Sequence, residues 1–282
     1  MVLGSQGFIG SHFVSYLAKS GFKATEFTSG HPLFTKQGHL IIDLTEESDI
    51  FWFLTKINPL IASTNQKLIE EELQYFQSAL KSLNQANKNH RIIFPSSGGT
   101  IYGHSDFPCS ESHQIDPVNQ YGHYKFAMEE MLRVSGLPHT VLRISNVFGP
   151  NQQTGRGQGV ISEWMYSIIH GTTLKLFGTD EISRDFIYID DLAAALSICN
   201  TSAQLANTYN IGSGVNTTLR QVLQILQEVT NTNFQVELVP KRTIDRMSIS
   251  LDISRAVVDL DWKPEFSLYQ GIEKLWKSIV SE

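Results

Sequence analysis

With 282 residues, 41% of them apolar, the chain is long enough for one large domain or two and can bury a substantial core. Acidic residues outnumber basic ones by 28 to 22, and the formal charge of -6 excludes a general attraction to nucleic acid or to an anionic membrane surface. Two cysteines, Cys109 and Cys199, are far apart and lack ligand spacing, so neither a disulfide scaffold nor a metal site is expected; no segment approaches the roughly 18 apolar residues of a membrane span, and the expected location is the cytoplasm.

Short apolar runs alternate with segments of helical period, which predicts βαβ units. The fold expected is α/β, a Rossmann-type doubly wound parallel sheet with a smaller C-terminal substrate-binding lobe. Strands are expected at Met1–Leu3, Lys23–Thr28, His39–Asp43, Ile50–Leu54, Arg91–Phe94 and Thr140–Ile144, with helices at Phe8–Lys19, Gln66–Asn89 and Tyr121–Val134 between them. After about Phe148 the texture changes, and Gly149–Gly159, rich in glycine and polar residues, reads as a ligand-facing loop. Beyond it the pattern predicts a helix at Val160–His170, strands at Thr173–Phe177 and Phe186–Ile189, and helices at Asp191–Cys199, Thr218–Thr230 and Leu268–Val280. The division expected is a dinucleotide-binding domain over 1–148 and a mainly substrate-binding lobe over 149–282, with some later segments returning to the sheet. A ligand then sits in the cleft between them, at the carboxyl ends of the strands.

Gly4-Ser5-Gln6-Gly7-Phe8-Ile9-Gly10 follows the first strand and opens the first helix, which is the context of a dinucleotide fingerprint. One glycine makes the turn, one lets backbone approach a pyrophosphate and one lets helix pack on strand, with the helix N-terminus facing the phosphates. The spacing is G-x-x-G-x-x-G, and a turn that only packs the first βα unit is the alternative. The second strand ends Glu26-Phe27-Thr28-Ser29, with no acid to bond the ribose 2′-hydroxyl of NAD, yet no arginine precedes Arg91 to meet the phosphate of NADP. The reading leans to NAD, with NADP left open through Lys23, His31 or Lys36. Asp43, at the end of the third expected strand, is a candidate to bond the adenine amino group, and a capping or turn role is its alternative.

Tyr121 and Lys125 stand at i and i+4 on a helix, one turn apart on one face. A phenol with a pKa of about 10 becomes a usable acid–base at neutral pH if a neighbouring ammonium and a cationic nicotinamide lower it. Some twenty residues earlier, Ser96-Ser97-Gly98-Gly99-Thr100-Ile101-Tyr102-Gly103 places several hydroxyls at the carboxyl end of a strand.

Together with Arg143–Pro150, Arg184–Asp191 and Tyr209–Gly214, these motifs resemble the extended short-chain dehydrogenase/reductase family, the NAD-dependent sugar epimerases and dehydratases. The resemblance implies that Tyr121 exchanges the proton of a sugar hydroxyl while C4 exchanges hydride with nicotinamide, and that Lys125 bonds the nicotinamide ribose. It implies a cofactor set of Gly4, Gln6, Gly7, Phe8, Ile9, Gly10, Asp43, Leu44, Thr55 and Ser96 with the pair itself. Asn146 is expected to touch a nucleoside-diphosphate sugar, and Arg184 and Arg242 to bind its diphosphate. For Arg184 the alternative is an ion pair with Asp185 or Asp190; for Asn146 it is a turn cap.

The family's usual hydroxyl, four residues before Tyr102, is replaced by Gly98, which passes the role to Thr100 or Ser97. The first strand is shorter than the family's, so either the true start lies upstream or the strand is frayed. The dehydratases carry an acidic pair where this chain has Gly99 and Thr100, which disfavours water elimination and favours a 4-epimerase on a UDP-sugar with tightly held NAD. A 4-keto-sugar reductase consuming NAD(P)H is the close rival, and a non-catalytic dinucleotide sensor the rival of another class. A homodimer through the helices at Gln66–Asn89 and Tyr121–Val134 is a further implication of the resemblance.

Overall fold

The computed structural model describes residues 1–281 apart from 45, 87–89, 104, 106, 202–207 and 241–247. The first half runs β1 (Val2–Leu3), α1 (Phe8–Lys19), β2 (Glu26–Phe27), β3 (Asp49–Trp52), α2 (Pro59–Thr64), α3 (Gln66–Gln85), β4 (Arg91–Ser97), α4 (Gly98–Ile101), α5 (Gln120–Ser135) and β5 (His139–Ile144). The second half runs β6 (Asn146–Phe148), α6 (Val160–Ile169), β7 (Leu174–Phe177), β8 (Ser183–Tyr188), α7 (Ile189–Thr201), β9 (Thr208–Ile211), β10 (Asn216–Thr218), α8 (Leu219–Thr230), β11 (Val236–Val239), α9 (Ser254–Leu260) and α10 (Leu268–Val280).

Six strands form one parallel sheet in the order β2-β1-β3-β4-β5-β9, the doubly wound arrangement expected of a Rossmann-type fold. Both faces are covered. On one, α3 and α5 bury Phe76, Leu80, Leu83, Met128 and Leu132 against Ile92 and Phe94. On the other, α1, α7 and α9 bury Phe13, Leu17, Leu192, Leu196 and Ala256 against Phe51, Ile93 and Leu142. Because β9, α7 and α9 come from the later part of the chain, that part completes the large sheet. A third apolar cluster, around Trp164, Met165, Leu176, Val222 and Ile272, belongs to the smaller lobe of α6, β7, β8, α8 and α10.

The strand expected at His39–Asp43 does not form. Ile41 and Ile42 are 51% and 48% exposed, and pairing there is confined to an isolated bridge between Phe34 and Leu40. Leu33, Phe34 and Leu44 pack inward, with Leu40 partly buried against the same core, while Ile41 and Ile42 stay outside, so the segment gains little apolar burial by extending the sheet beyond β2. The strand expected at Lys23–Thr28 contracts to the two residues of β2, and α3 stops at Gln85.

Three of the sequence motifs meet in one buried hydrogen-bond chain. The Tyr102 hydroxyl donates to Asn210 Oδ1 at 2.6 Å and accepts from Arg143 Nη1 at 3.0 Å, while Arg143 grips Glu129 through Nε and Nη2. Asn210 donates onward to the carbonyls of Cys109 and Asp252. The chain locks the end of α4, β5, α5 and β9 together.

At the start of α1, a Cβ built on Gly10 would lie 2.3 Å from the carbonyl oxygen of Gly4, so only glycine lets helix and turn touch. Gly10→Ala is expected to cost about 1–3 kcal/mol in urea unfolding. Gly30→Ala, whose Cβ would meet only Thr28 Oγ1 at 3.9 Å, is expected to stay within about 0.5 kcal/mol of wild type.

Candidate active site

At the carboxyl edge of the sheet, facing the smaller lobe, lies a cavity of about 1020 Å³. Its floor is the start of α1, where Gly7, Phe8, Ile9 and Gly10 line it, and its walls carry Thr55, Ser96, Ser97, Thr100, Tyr121, Lys125, Asn146 and Arg184. Most of the residues singled out in the sequence are thus brought together. Gly4 underlies the turn, and Gln6 is exposed beside it. Asp43 and Leu44 are not brought to the cavity: without a third strand to carry them there, Asp43 is exposed and Leu44 packs into the core. Arg242 lies outside the described residues.

Local chemistry explains how Tyr121 reaches this place. Asn119 caps α5, its Oδ1 accepting from the Gly122 N–H at 2.9 Å. Gly122 then sits so near α4 that a Cβ would come 2.4 Å from the Thr100 carbonyl oxygen, so the start of α5 presses against the hydroxyl-bearing turn. In that turn the Thr100 hydroxyl donates to Ser97 Oγ at 3.0 Å. Gly98 cannot substitute for either: a Cβ there would meet Leu251 at 2.6 Å and the Arg143 carbonyl at 3.1 Å, away from the cavity lining.

Lys125 is buried, and its Nζ donates to the Pro95 carbonyl oxygen at 3.0 Å. A proline within a central strand is tolerated because β3 ends at Trp52, short of the Pro95 level, and only β5 pairs there. The ammonium also lies 4.8 Å from the centroid of the Phe94 ring and 5.9 Å from that of Tyr121. Burial pushes its pKa down to about 8, against the carboxylates of Glu72 and Glu129, which raise it. Burial, and then the charge of Glu72, push the Tyr121 phenol above its ordinary value. The ammonium addresses the Pro95 carbonyl, so desolvation dominates at the phenol.

The residues fit a dinucleotide. The first turn of α1 faces the cavity as an anion site, and the buried Ser96 Oγ in the wall has no hydrogen-bond partner among the described residues. The turn after β2, Thr28–His31, carries hydroxyls and an imidazole but no carboxylate. On the lobe side Asn146 Nδ2 donates to the Asp185 carbonyl at 3.0 Å and Arg184 Nη1 to the Ser183 carbonyl at 2.8 Å. Asp185 itself is turned the other way, accepting from the Ser213 and Gly214 backbone.

Several lining residues went unread in the sequence. Arg156, in the glycine-rich loop, and Lys175, on β7, join Arg184 and Lys56, so that among the described lining residues Glu163 is the one acid. A chain of net charge -6 therefore presents a basic cavity. Only Arg156 lay in a segment already marked as ligand-facing.

The doubly wound sheet, the glycine turn under a helix N-terminus and the tyrosine–lysine pair define a Rossmann-type dinucleotide-binding fold. The profile of the NAD dependent epimerase/dehydratase family matches residues 1–212, and the chain belongs to that family. It is 36% identical over 198 residues to a dTDP-4-dehydro-6-deoxyglucose reductase of Escherichia coli, a match covering 68% of this chain but only 62% of that protein. With a UDP-glucose 4-epimerase of Rhizobium leguminosarum bv. trifolii it shares 25% identity over 98% of this chain and 95% of the relative. A UDP-glucose 4-epimerase of Thermotoga maritima, solved with UDP-glucose, superimposes with a TM-score of 0.85 at 26% identity, over 100% of this chain and 99% of the other.

Because burial holds the pKa of Lys125 in the folded chain below its ordinary value of 10.5, the native chain binds fewer protons than the unfolded one between about 8 and 10.5. Stability from this group therefore rises with pH through that window, and its cost is fully present below it. Lys125→Met is expected to raise the melting temperature at pH 7 and to flatten its pH dependence in the window, as thermal melts at several pH values will show.

Proposed function

We propose that the chain is an NAD-dependent epimerase acting at C4 of a nucleoside-diphosphate sugar, most simply a UDP-sugar, by transient oxidation and re-reduction. The observation that carries this reading is the convergence of Tyr121, Lys125 and the Ser97–Thr100 hydroxyl pair on one wall, between a dinucleotide cradle and a basic lobe. NAD, when bound, supplies the acceptor that takes hydride from C4 and gives it back.

The chain's own residues do the rest. Gly7 to Gly10 and the α1 N-terminus hold the pyrophosphate, with Gly4 and Gln6 in the same turn and Ser96 and Thr55 along the nicotinamide side. Lys125 binds the nicotinamide ribose. Tyr121 takes the proton of the 4-hydroxyl and returns it, and Thr100 with Ser97 orients that hydroxyl. Asn146 meets the sugar nucleotide, and Arg184, with Arg242 by family resemblance, the diphosphate; a guanidinium suits two phosphate oxygens at once. Gly99 and Thr100, where dehydratases carry acids, leave no carboxylate for eliminating water.

The 36% identity to an E. coli reductase favours a second reading, in which the same Tyr121 protonates a 4-keto sugar while NAD(P)H is consumed. We further propose a cytoplasmic homodimer joined through α3 and α5; sedimentation at micromolar concentration tests the assembly.

Native mass spectrometry of the purified protein is expected to find retained dinucleotide, and a thermal-shift screen of nucleoside-diphosphate sugars a stabilising partner. With that partner, an epimerase interconverts two sugars with no net change in nicotinamide absorbance, whereas steady NADPH consumption would establish the reductase instead. Tyr121→Phe should retain dinucleotide and lose about 10²–10⁴ in kcat. Turnover undiminished by it would rule out the acid–base role that both readings give to Tyr121.

A further inference from the structure

Glu72 stands in the buried stripe of α3, between Ile69 and Phe76, where helical periodicity asks for an apolar side chain. Glu72 is half-buried, and its carboxylate reaches toward α5 and the loop after β3. Oε2 accepts from the Tyr124 hydroxyl at 2.7 Å and the Thr55 hydroxyl at 3.0 Å, and Oε1 accepts from the Lys56 backbone N–H at 2.6 Å. Thr55 and Tyr124 also bond each other at 3.1 Å. One carboxylate thus ties α3 to the loop after β3 and to α5, the helix that carries Lys125. Thr55 and Lys56 line the cavity, and the Tyr124 ring centroid is 5.9 Å from Lys125 Nζ.

Charge makes this more than a clamp. The ionisable groups around the pair are Tyr124 and Glu129 on α5 and Glu72 on α3, with Lys56 of the neighbouring loop lining the same cavity. Glu129 is matched by Arg143, whose Nη2 lies 2.7 Å from its Oε2. Glu72 has only neutral donors: among the described residues no cationic side chain comes within ion-pair distance of it.

We propose that Glu72 is the positioning residue of the Tyr121–Lys125 pair, fixing Tyr124 and Thr55 as the wall beside the ammonium and supplying the unmatched negative charge that this ammonium faces. The inference rests on the proposed function only for the roles given to Tyr121 and Lys125. The charge of Glu72 acts in one direction on both members, opposing loss of the Lys125 proton and opposing ionisation of Tyr121. Removing it therefore moves both titrations to lower pH.

The test needs no turnover. In the whole chain labelled with ¹³C-lysine, the Cε signal of Lys125, identified by its loss in Lys125→Met, is followed against pH. In Glu72→Gln, which keeps the size and an acceptor oxygen, the midpoint should fall by about half a pH unit or more. Glu72→Ala is the second charge-free variant, with the same expectation, and Glu72→Asp should return the midpoint toward wild type. If a substrate is in hand, both limbs of the kcat–pH profile should move the same way. A midpoint that stays put in both charge-free variants, even with lowered melting temperatures, would mark Glu72 as a structural tie and overturn the proposal. A midpoint that moves in a protein inert toward every nucleotide sugar would uphold it while refuting the epimerase reading.

Discussion

A buried ammonium at the edge of the central sheet is the constraint around which this molecule is arranged. Taking Lys125 out of water is costly, and the compensation comes from several elements at once. Pro95 offers a carbonyl at a level where β3 has already ended, Phe94 offers the face of its ring, and Glu72 and Glu129 offer charge from α3 and α5. Pro95, Phe94 and Glu72 would not face Lys125 unless α5 lay close against the sheet edge. Gly122 permits that approach by leaving room for the Thr100 carbonyl, and the same contact delivers Tyr121 beside the Ser97–Thr100 hydroxyls. Packing and chemistry are here one feature.

The cavity also resolves a tension in the composition. A net charge of -6 argues against anionic ligands in general, yet Lys56, Arg156, Lys175 and Arg184 gather around one opening with Glu163 as their one acidic neighbour among the described lining residues. Local placement outweighs net charge, because screened surface acids beyond about 10 Å contribute little to the potential inside a cleft. With the α1 N-terminus below and these side chains above, a ligand carrying phosphates at both ends of a neutral reacting centre is the natural occupant. That is also the shape of a dinucleotide laid against a nucleoside-diphosphate sugar.

Much of this was legible in the sequence because its signals are local. The bounds of α1 and α10 follow from helical period and flanking turn residues, and the glycine turn and the i, i+4 pair follow from spacing alone. What was illegible depends on partners distant in the chain. Residues 39–43 have the apolar content of a strand but no edge on which burial would reward one, so Asp43 never reaches the cavity. The direction of the Tyr121 shift depends on desolvation and on Glu72, some fifty residues away, which no spacing rule connects to it. Glu72 did leave one trace, a carboxylate in an otherwise apolar stripe, and a half-buried charge in such a stripe asks for partners. The Tyr102–Asn210–Arg143 chain shows the same limit: each residue belonged to a recognised motif, but only the fold reveals that the motifs hydrogen-bond to one another.

The central claim is that a phenol and an ammonium on one turn of α5 meet the reacting end of a dinucleotide anchored by the glycine turn. A crystal structure with NAD and a nucleoside-diphosphate sugar bound tests it most directly. The account predicts the nicotinamide ribose within hydrogen-bond distance of Lys125 Nζ, and a sugar hydroxyl within reach of the Tyr121 oxygen. A dinucleotide seated elsewhere, or a sugar whose reacting carbon lies beyond contact with Tyr121, would contradict it.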